Sequence, residues 1–311
     1  MILIARYSRR YPLSTRSYTS DVPGSHPPPD DQRVGLVWWH ELGYVGGFYL
    51  LYSGTRNLFG SASGGATHAF HNAQRVIRAE QWLGIFHEAT VQGWFLGAPW
   101  FVRLWDDFYG TFHFVVTLGV LVVAYRRWPT VYRFWRNTLA FTTALALIGF
   151  SLFPLMPPRL LCDCAYGAGP GLDYGFTDTL LRVGGLWSFD SGTMKSISNQ
   201  YAAMPSLHMA WALWCAWVLV PRLRHRWAKA LAIAYPVATV FAITITANHY
   251  FLDAVAGAVT LAAGYGLACL SERLAPRFAR PRRSRSGPPD GHSTTDPRVV
   301  SGEGDGLRLS Q

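Results

Sequence analysis

Residues 228–270 read AKALAIAYPVATVFAITITANHYFLDAVAGAVTLAAGYGLACL. Two apolar runs, 228–247 and 251–270, are parted only by Asn248, His249 and Tyr250. Each run is about 20 residues long, the length an α-helix needs to cross a hydrocarbon core. Backbone polar groups in hydrocarbon must be satisfied within their own segment, so such runs are helices. A pair of them joined by a short polar turn predicts a helical hairpin in a membrane, with His249 and Asp253 at its tip.

Working outward, four more stretches have the same character: 34–52, 108–125, 138–155 and 202–220. The expectation is an all-α, polytopic integral membrane bundle of six transmembrane helices. Composition agrees. Of 311 residues half are apolar, only 15% are charged and 13 are Trp, and mean hydropathy is +0.11. Those values exclude a disordered, collagen-like or disulfide-stapled chain.

The formal charge of +10 could point to nucleic acid, but the basic residues are placed otherwise. Arg126, Arg127, Arg133 and Arg136 lie between spans two and three, and Arg222, Arg224, Arg226 and Lys229 between spans four and five. The cluster at 273–285 follows span six, and Arg6, Arg9, Arg10 and Arg16 precede span one. With six spans, all of these fall on one side. This is the positive-inside pattern, with both termini cytoplasmic. A nucleic-acid surface would interleave basic and stacking aromatic residues on one soluble face, so no nucleic-acid partner is expected. The predicted organisation is a flexible cytoplasmic arm over 1–33, a membrane domain over 34–272 and a disordered basic cytoplasmic tail over 273–311. The start of the chain does not read as a cleavable signal peptide.

The opposite side then carries the segments 56–107 and 156–201 and the turn 248–250, and chemistry is sought there. Cys215 and Cys269 sit within spans as small core residues. Cys162 and Cys164, separated by one residue, receive no role: a bridge would be strained and no zinc spacing surrounds them. No metal or cofactor is expected.

Ionisable residues at a membrane edge are expensive and therefore candidates for function. Ala203-Met-Pro-Ser-Leu-His208 opens span four. Pro205 suits a first helical turn, and Ser206 and His208 would stand where free N–H groups and the positive helix end favour an anion. At the start of span six, His249 and Asp253 are four apart and share a helical face. The carboxylate can accept one imidazole N–H and leave the other nitrogen free to attack or to take a proton. Gly257 continues that face and lets another helix come close. Pro154-Leu-Met-Pro-Pro-Arg159 ends span three, and the planar fork of Arg159 suits phosphate oxygens. Singly, each has a plain structural reading: a helix cap, a hydrogen-bonded pair, a headgroup anchor. Their convergence on one membrane face favours a shared site.

The segment 67–94 reads as one or two amphipathic helices on the outer surface. A solvated, salt-bridged lid is the plainer reading. The functional one has Arg75 or Arg78 meeting a polar headgroup. His87 and Glu88 lack the second His of a zinc helix. His40, Glu41 and His113 could line the same cavity, but the plainer reading of each is a packed, hydrogen-bonded bundle residue.

Pro-Pro-Arg, then Ala-Met-Pro-Ser-Leu-His, then His-Tyr-Phe-Leu-Asp-Ala-Val-Ala-Gly resembles the type 2 phosphatidic acid phosphatase superfamily, with a closer likeness to its inositol phosphorylceramide synthase-like branch. The resemblance covers roughly 36–272. It implies a metal-independent lipid phosphatase or headgroup phosphotransferase in which His249 is the nucleophile, Asp253 orients it and His208 is the acid and base. Arg159, Ser206 and the helix N-terminus would hold the phosphate. The branch has bacterial members, so a bacterial plasma membrane is the implied location, with the site extracytoplasmic and a lipid phosphate or phospholipid as substrate.

The family's phosphatases also carry Lys-x6-Arg-Pro, but Leu152 and Leu160 occupy the Lys and Pro places here. They carry Ser-Arg ahead of the nucleophile, where this chain has Ala242 and Ile243. Lys195, Asn199 and Asn248 are then candidates to help hold the phosphate, and whether water or an alcohol is the acceptor stays open, as do the particular lipid and the oligomeric state. The competing class is a transporter or channel with a His/Asp relay. Transporter sites lie near the midplane on broken helices within paired repeats, whereas these residues sit at span ends and no repeat is visible.

Overall fold

The computed structural model describes residues 65–161, 174–184 and 201–278, with scattered positions between 39 and 54. Its helices are α1 (Gly65–Leu83), α2 (Glu88–Phe95), α3 (Pro99–Arg127), α4 (Pro129–Leu152), the short α5 (Thr179–Arg182), α6 (Leu207–Leu219), α7 (Arg226–Ile245) and α8 (Phe251–Phe278), with a 3-10 turn at Pro158–Leu161. No strand occurs among the described residues. One isolated parallel bridge joins Leu155 to Ala202. The predicted arm, the tail beyond Phe278, Cys162, Cys164, Lys195 and Asn199 lie outside the described residues.

Three helices are long and apolar enough to cross a membrane: α3, α7 and the stretch Phe251–Leu274 of α8. At 1.5 Å per residue, α3 with its 29 residues is about 44 Å long and α7 with 20 about 30 Å, enough for a core of roughly 30 Å. Leu118, Val122, Val237, Val255 and Val259 point outward from these helices, a large apolar surface of the kind that meets lipid. Prolines open α3 and α4 at the first turn, where a missing N–H costs nothing.

Helices α3, α7 and α8 are the second, fifth and sixth of the six expected spans; the first, expected over 34–52, lies largely outside the described residues, and the third and fourth differ from the sequence reading. Helix α4 covers the third, but Arg133, Arg136 and Asn137 in its first half dilute its apolar character. The fourth, expected over 202–220, is helical only from Leu207 to Leu219, 13 residues, or about 20 Å. Its first part is extended because the Tyr201 carbonyl accepts the Leu155 N–H at 2.7 Å. Ser206 is therefore the N-cap, its Oγ accepting from Met209 N, and Pro205 precedes the cap rather than opening the helix.

Helix α8 packs most extensively on α4, and α6 lies against α7, α8 and α3. Two glycines of α8 permit this. A Cβ at Gly257 would overlap the Ser206 carbonyl oxygen, and one at Gly264 would overlap Thr142. One apolar cluster joins α3, α4, α6 and α8 around Trp135, Trp214 and Leu261. A second joins α1 to the exit of α4 and the start of α8 around Ile77, Leu155, Met156 and Tyr250. Glu41 is packed as expected. Its carboxylate accepts from Arg136 at 2.6 and 2.7 Å and from Tyr132 Oη at 3.1 Å.

Candidate active site

Helix α7 ends at Ile245, and the chain turns sharply through Ala247, whose φ is +50°, before α8 begins at Phe251. The turn presents His249, and the first turn of α8 presents Asp253 behind it. Asp253 Oδ2 lies 3.3 Å from His249 Nδ1 and accepts the Tyr250 N–H at 3.0 Å. An oxygen that already accepts from a backbone amide is an acceptor for the ring as well, so Nδ1 of His249 carries hydrogen. Its Nε2 then holds the lone pair, and it faces His208 Nδ1 at 3.3 Å. Asp253, His249 and His208 thus form one hydrogen-bonded line, although the two rings come from positions 41 residues apart in sequence. His249 and Asp253 are buried, while His208 is half-buried. Their register is fixed by the backbone: Ser206 N donates to the Asp253 carbonyl at 3.0 Å, the approach that Gly257 makes room for.

Arg159 comes to the same region through the 3-10 turn. Its backbone N donates to the Ala247 carbonyl at 2.7 Å. Its Nε donates to Asn248 Oδ1 at 3.1 Å, and one terminal nitrogen donates to Asp178 Oδ2 at 3.0 Å. Only 7% of Arg159 is exposed. Asn248 is itself held by Thr246, to which its amide donates at 2.8 Å, so its side chain orients Arg159. Asp178 also caps α5, and its loop is fixed by Gln92, whose amide exchanges two 2.9 Å hydrogen bonds with the Thr177 backbone. Asp106 of α3 accepts from Thr179 at 3.1 Å beside this pair. Ser206 is fully buried at the α6 cap.

The amphipathic segment does more than cover the surface. Glu88 Oε1 accepts the Phe251 N–H at 3.0 Å, and Glu80 Oε1 accepts the Leu252 N–H at 2.7 Å. With Asp253 on Tyr250 N, three carboxyl groups satisfy consecutive amides that open α8, where a helix leaves its donors unpaired. Glu80 and Glu88 are both fully buried. Burial, then the adjacent Glu88 carboxyl, pushes Glu80 up to about 9, so it holds a proton at neutral pH. The solvated, salt-bridged lid is thus not what forms on this face: its acids are buried against the start of α8. Arg75 and Arg78 lie on the opposite, exposed face of α1. Arg75 donates to Asn72 at 3.2 Å, and the structure does not bring either Arg into the imidazole line.

Sequence reasoning missed Glu80, Glu88, Asp106, Asp178 and Tyr109, and treated His113 as bundle packing. His113 in fact lies against His208, with ring centroids 4.2 Å apart. Tyr109 stacks on the His208 ring, with centroids 4.1 Å apart and planes at 24°. His40 is exposed. Glu80 could have been noticed, because it continues the apolar stripe of Ala69, Ala73, Val76 and Ile77 at helical spacing. Among the described residues, no group of three or more His, Cys, Asp or Glu side chains is arranged to hold a metal ion.

The family model of the PAP2 superfamily matches residues 74–267, a range that contains Glu80, Glu88, Arg159, Asp178, His208, His249 and Asp253. The chain belongs to that superfamily, and with its apolar helices it is an integral membrane protein. No curated protein and no solved structure gives a significant match to it.

Proposed function

We propose that the chain is a metal-independent lipid phosphatase or lipid-headgroup phosphotransferase that works through a phosphohistidine on His249. The observation that carries this reading is the Asp253–His249–His208 line beside a buried, oriented Arg159. His249 Nε2 attacks phosphorus with its lone pair, and the P–O bond to the lipid alcohol breaks. His208, as imidazolium, gives its proton to the leaving alkoxide. Water or a second alcohol then attacks the phosphohistidine and returns a proton to His208 as the P–N bond breaks. Water yields inorganic phosphate, and an alcohol yields a new phosphoester. Asp253 holds the attacking tautomer and balances the positive charge that forms on the ring. Arg159, Ser206 and the α6 N-terminus stabilise the phosphoryl oxygens. In the free enzyme the two imidazoles bond to each other, so the phosphoryl group takes the place of that bond.

The absent Lys, Ser and Arg positions favour the inositol phosphorylceramide synthase-like branch, and with it transfer over hydrolysis. The positive-inside pattern supports six spans with cytoplasmic termini and an extracytoplasmic site, consistent with a bacterial plasma membrane. Lys195, Asn199, Arg75 and Arg78 stay candidates for contacts to the headgroup.

His249→Gln in detergent-purified protein tests the reading. Phosphatidate, prenyl phosphates and phosphatidylinositol serve as substrates, with inorganic phosphate and new lipids followed together. Loss of both products with an unchanged unfolding profile is expected, along with an acid-labile phosphoryl label on the parent protein only. Retained turnover would exclude His249 as nucleophile.

A further inference from the structure

The proposed acid and base, His208, is gripped by groups that no step above uses. Tyr109 and His113 sit one turn apart on α3. The His113 Nδ1–H donates to the Tyr109 carbonyl at 2.8 Å, which fixes the His113 ring. The Tyr109 ring lies almost parallel to His208, with centroids 4.1 Å apart, and His113 meets the same imidazole at 60° and 4.2 Å. Tyr109 also lies 6.1 Å from His249, so it stands at the junction of the two reacting rings. Phe114 and Trp211 extend the cradle outward, each with its ring within 6 Å of His113, and Trp211 is anchored by donating to Thr143 at 3.0 Å.

Stacking does two things for an imidazole. It holds the ring plane, and it sets an electron-rich face against a ring that must carry positive charge when it acts as an acid. Cation–π attraction favours that charged form most where water is excluded. The groups around His208 are Tyr109 and His113 from α3 and His249 from α8, with Asp253 behind it. From α4 comes Thr143, through Trp211. Of these, the Tyr109 face is the one laid flat on the His208 ring.

We propose that Tyr109 is a positioning residue for His208, fixing its ring plane and favouring its imidazolium form for protonation of the leaving lipid alkoxide. The inference rests on the phosphohistidine reading. The two fail differently: turnover by His249→Gln would end that reading, whereas an inactive His249→Gln with no effect of the Tyr109 face would end only this one.

The pH profile of kcat/KM, which reports ionisations of the free enzyme, is the measurement. Residue 109 is replaced by Phe and by Phe carrying one, two or three ring fluorines. Fluorination drains the π face while hardly changing shape, so folding is preserved through the series. The alkaline limb is expected to stay in place for Tyr109→Phe and to move to lower pH stepwise with each fluorine. The total loss in kcat/KM at alkaline pH should approach about tenfold, the scale of a desolvated cation–π contact. A limb that does not move with fluorine number overturns the proposal. So does a uniform loss at all pH in Tyr109→Phe, which would assign the role to the hydroxyl.

Discussion

Glu80→Gln isolates the protonated carboxyl under the start of α8. In the unfolded chain Glu80 ionises above about 4.5, whereas the folded protein keeps its proton until about pH 9. Folding between those values takes up a proton. Stability tied to this group is therefore complete below 4.5 and declines as pH rises to about 9. The slope is about 1.4 kcal/mol per pH unit, on the order of 6 kcal/mol across the interval. Gln has no proton to take up. Its amide oxygen can still accept the Leu252 N–H, and its amide N–H can face Glu88, whose Oε2 has no partner among the described residues. Glu80→Gln should thus gain on the parent steadily as pH rises. The assay is SDS-driven unfolding in mixed micelles, followed by Trp fluorescence at about pH 5.5, 7 and 8.5, which samples the linked interval. Parallel pH dependences for the two proteins would refute a protonated Glu80.

Three further outcomes follow from the packing. Gly257→Ala pushes a methyl into the Ser206 carbonyl and should cost about 1–3 kcal/mol of stability; by shifting His208 from His249 it should also lower kcat about a hundredfold, whereas Gly266→Ala, with nothing within 4 Å, should do neither in the same unfolding and turnover assays. Arg159→Ala leaves Asp178 buried without its cation and should destabilise by about 3–5 kcal/mol as well as abolish turnover, read by thermal unfolding and product formation. Asp178→Asn keeps a neutral partner for Arg159 but loosens the ion pair that fixes its guanidinium, so a rise in KM with turnover retained, unlike Arg159→Ala, is expected from initial rates.

The line of His208, His249 and Asp253 was legible because local rules carry it. The short spacing of His249 and Asp253 keeps the two close, and the apolar runs on either side locate the turn that bears them, although His249 lies in the turn before α8 rather than on its helical face. Gly257 was legible for the same reason. Glu80 and Glu88 were hidden because their partners are amides 172 and 163 residues away, and nothing in a single sequence pairs an acid with a distant N–H. Asp178 was missed because it sits in a loop whose placement depends on Gln92. The length of α6 was misjudged because apolar Ala202 and Ala203 continue the hydrophobic run, while their backbone is drawn into an extended pairing with the exit of α4. Asn248 and Arg75 show the converse: polar residues that read as candidates for substrate are engaged by Arg159 and Asn72.

The contact of Glu41 with Arg136 bears on how the chain is made. The two partners are 95 residues apart, and at 5–20 residues per second the acid leaves the ribosome roughly 5–20 s before the base that neutralises it. During that interval the nascent first segment carries an uncompensated charge. Its final seating must therefore wait for synthesis of α4, which makes the assembly of the bundle a sequential, translation-timed event.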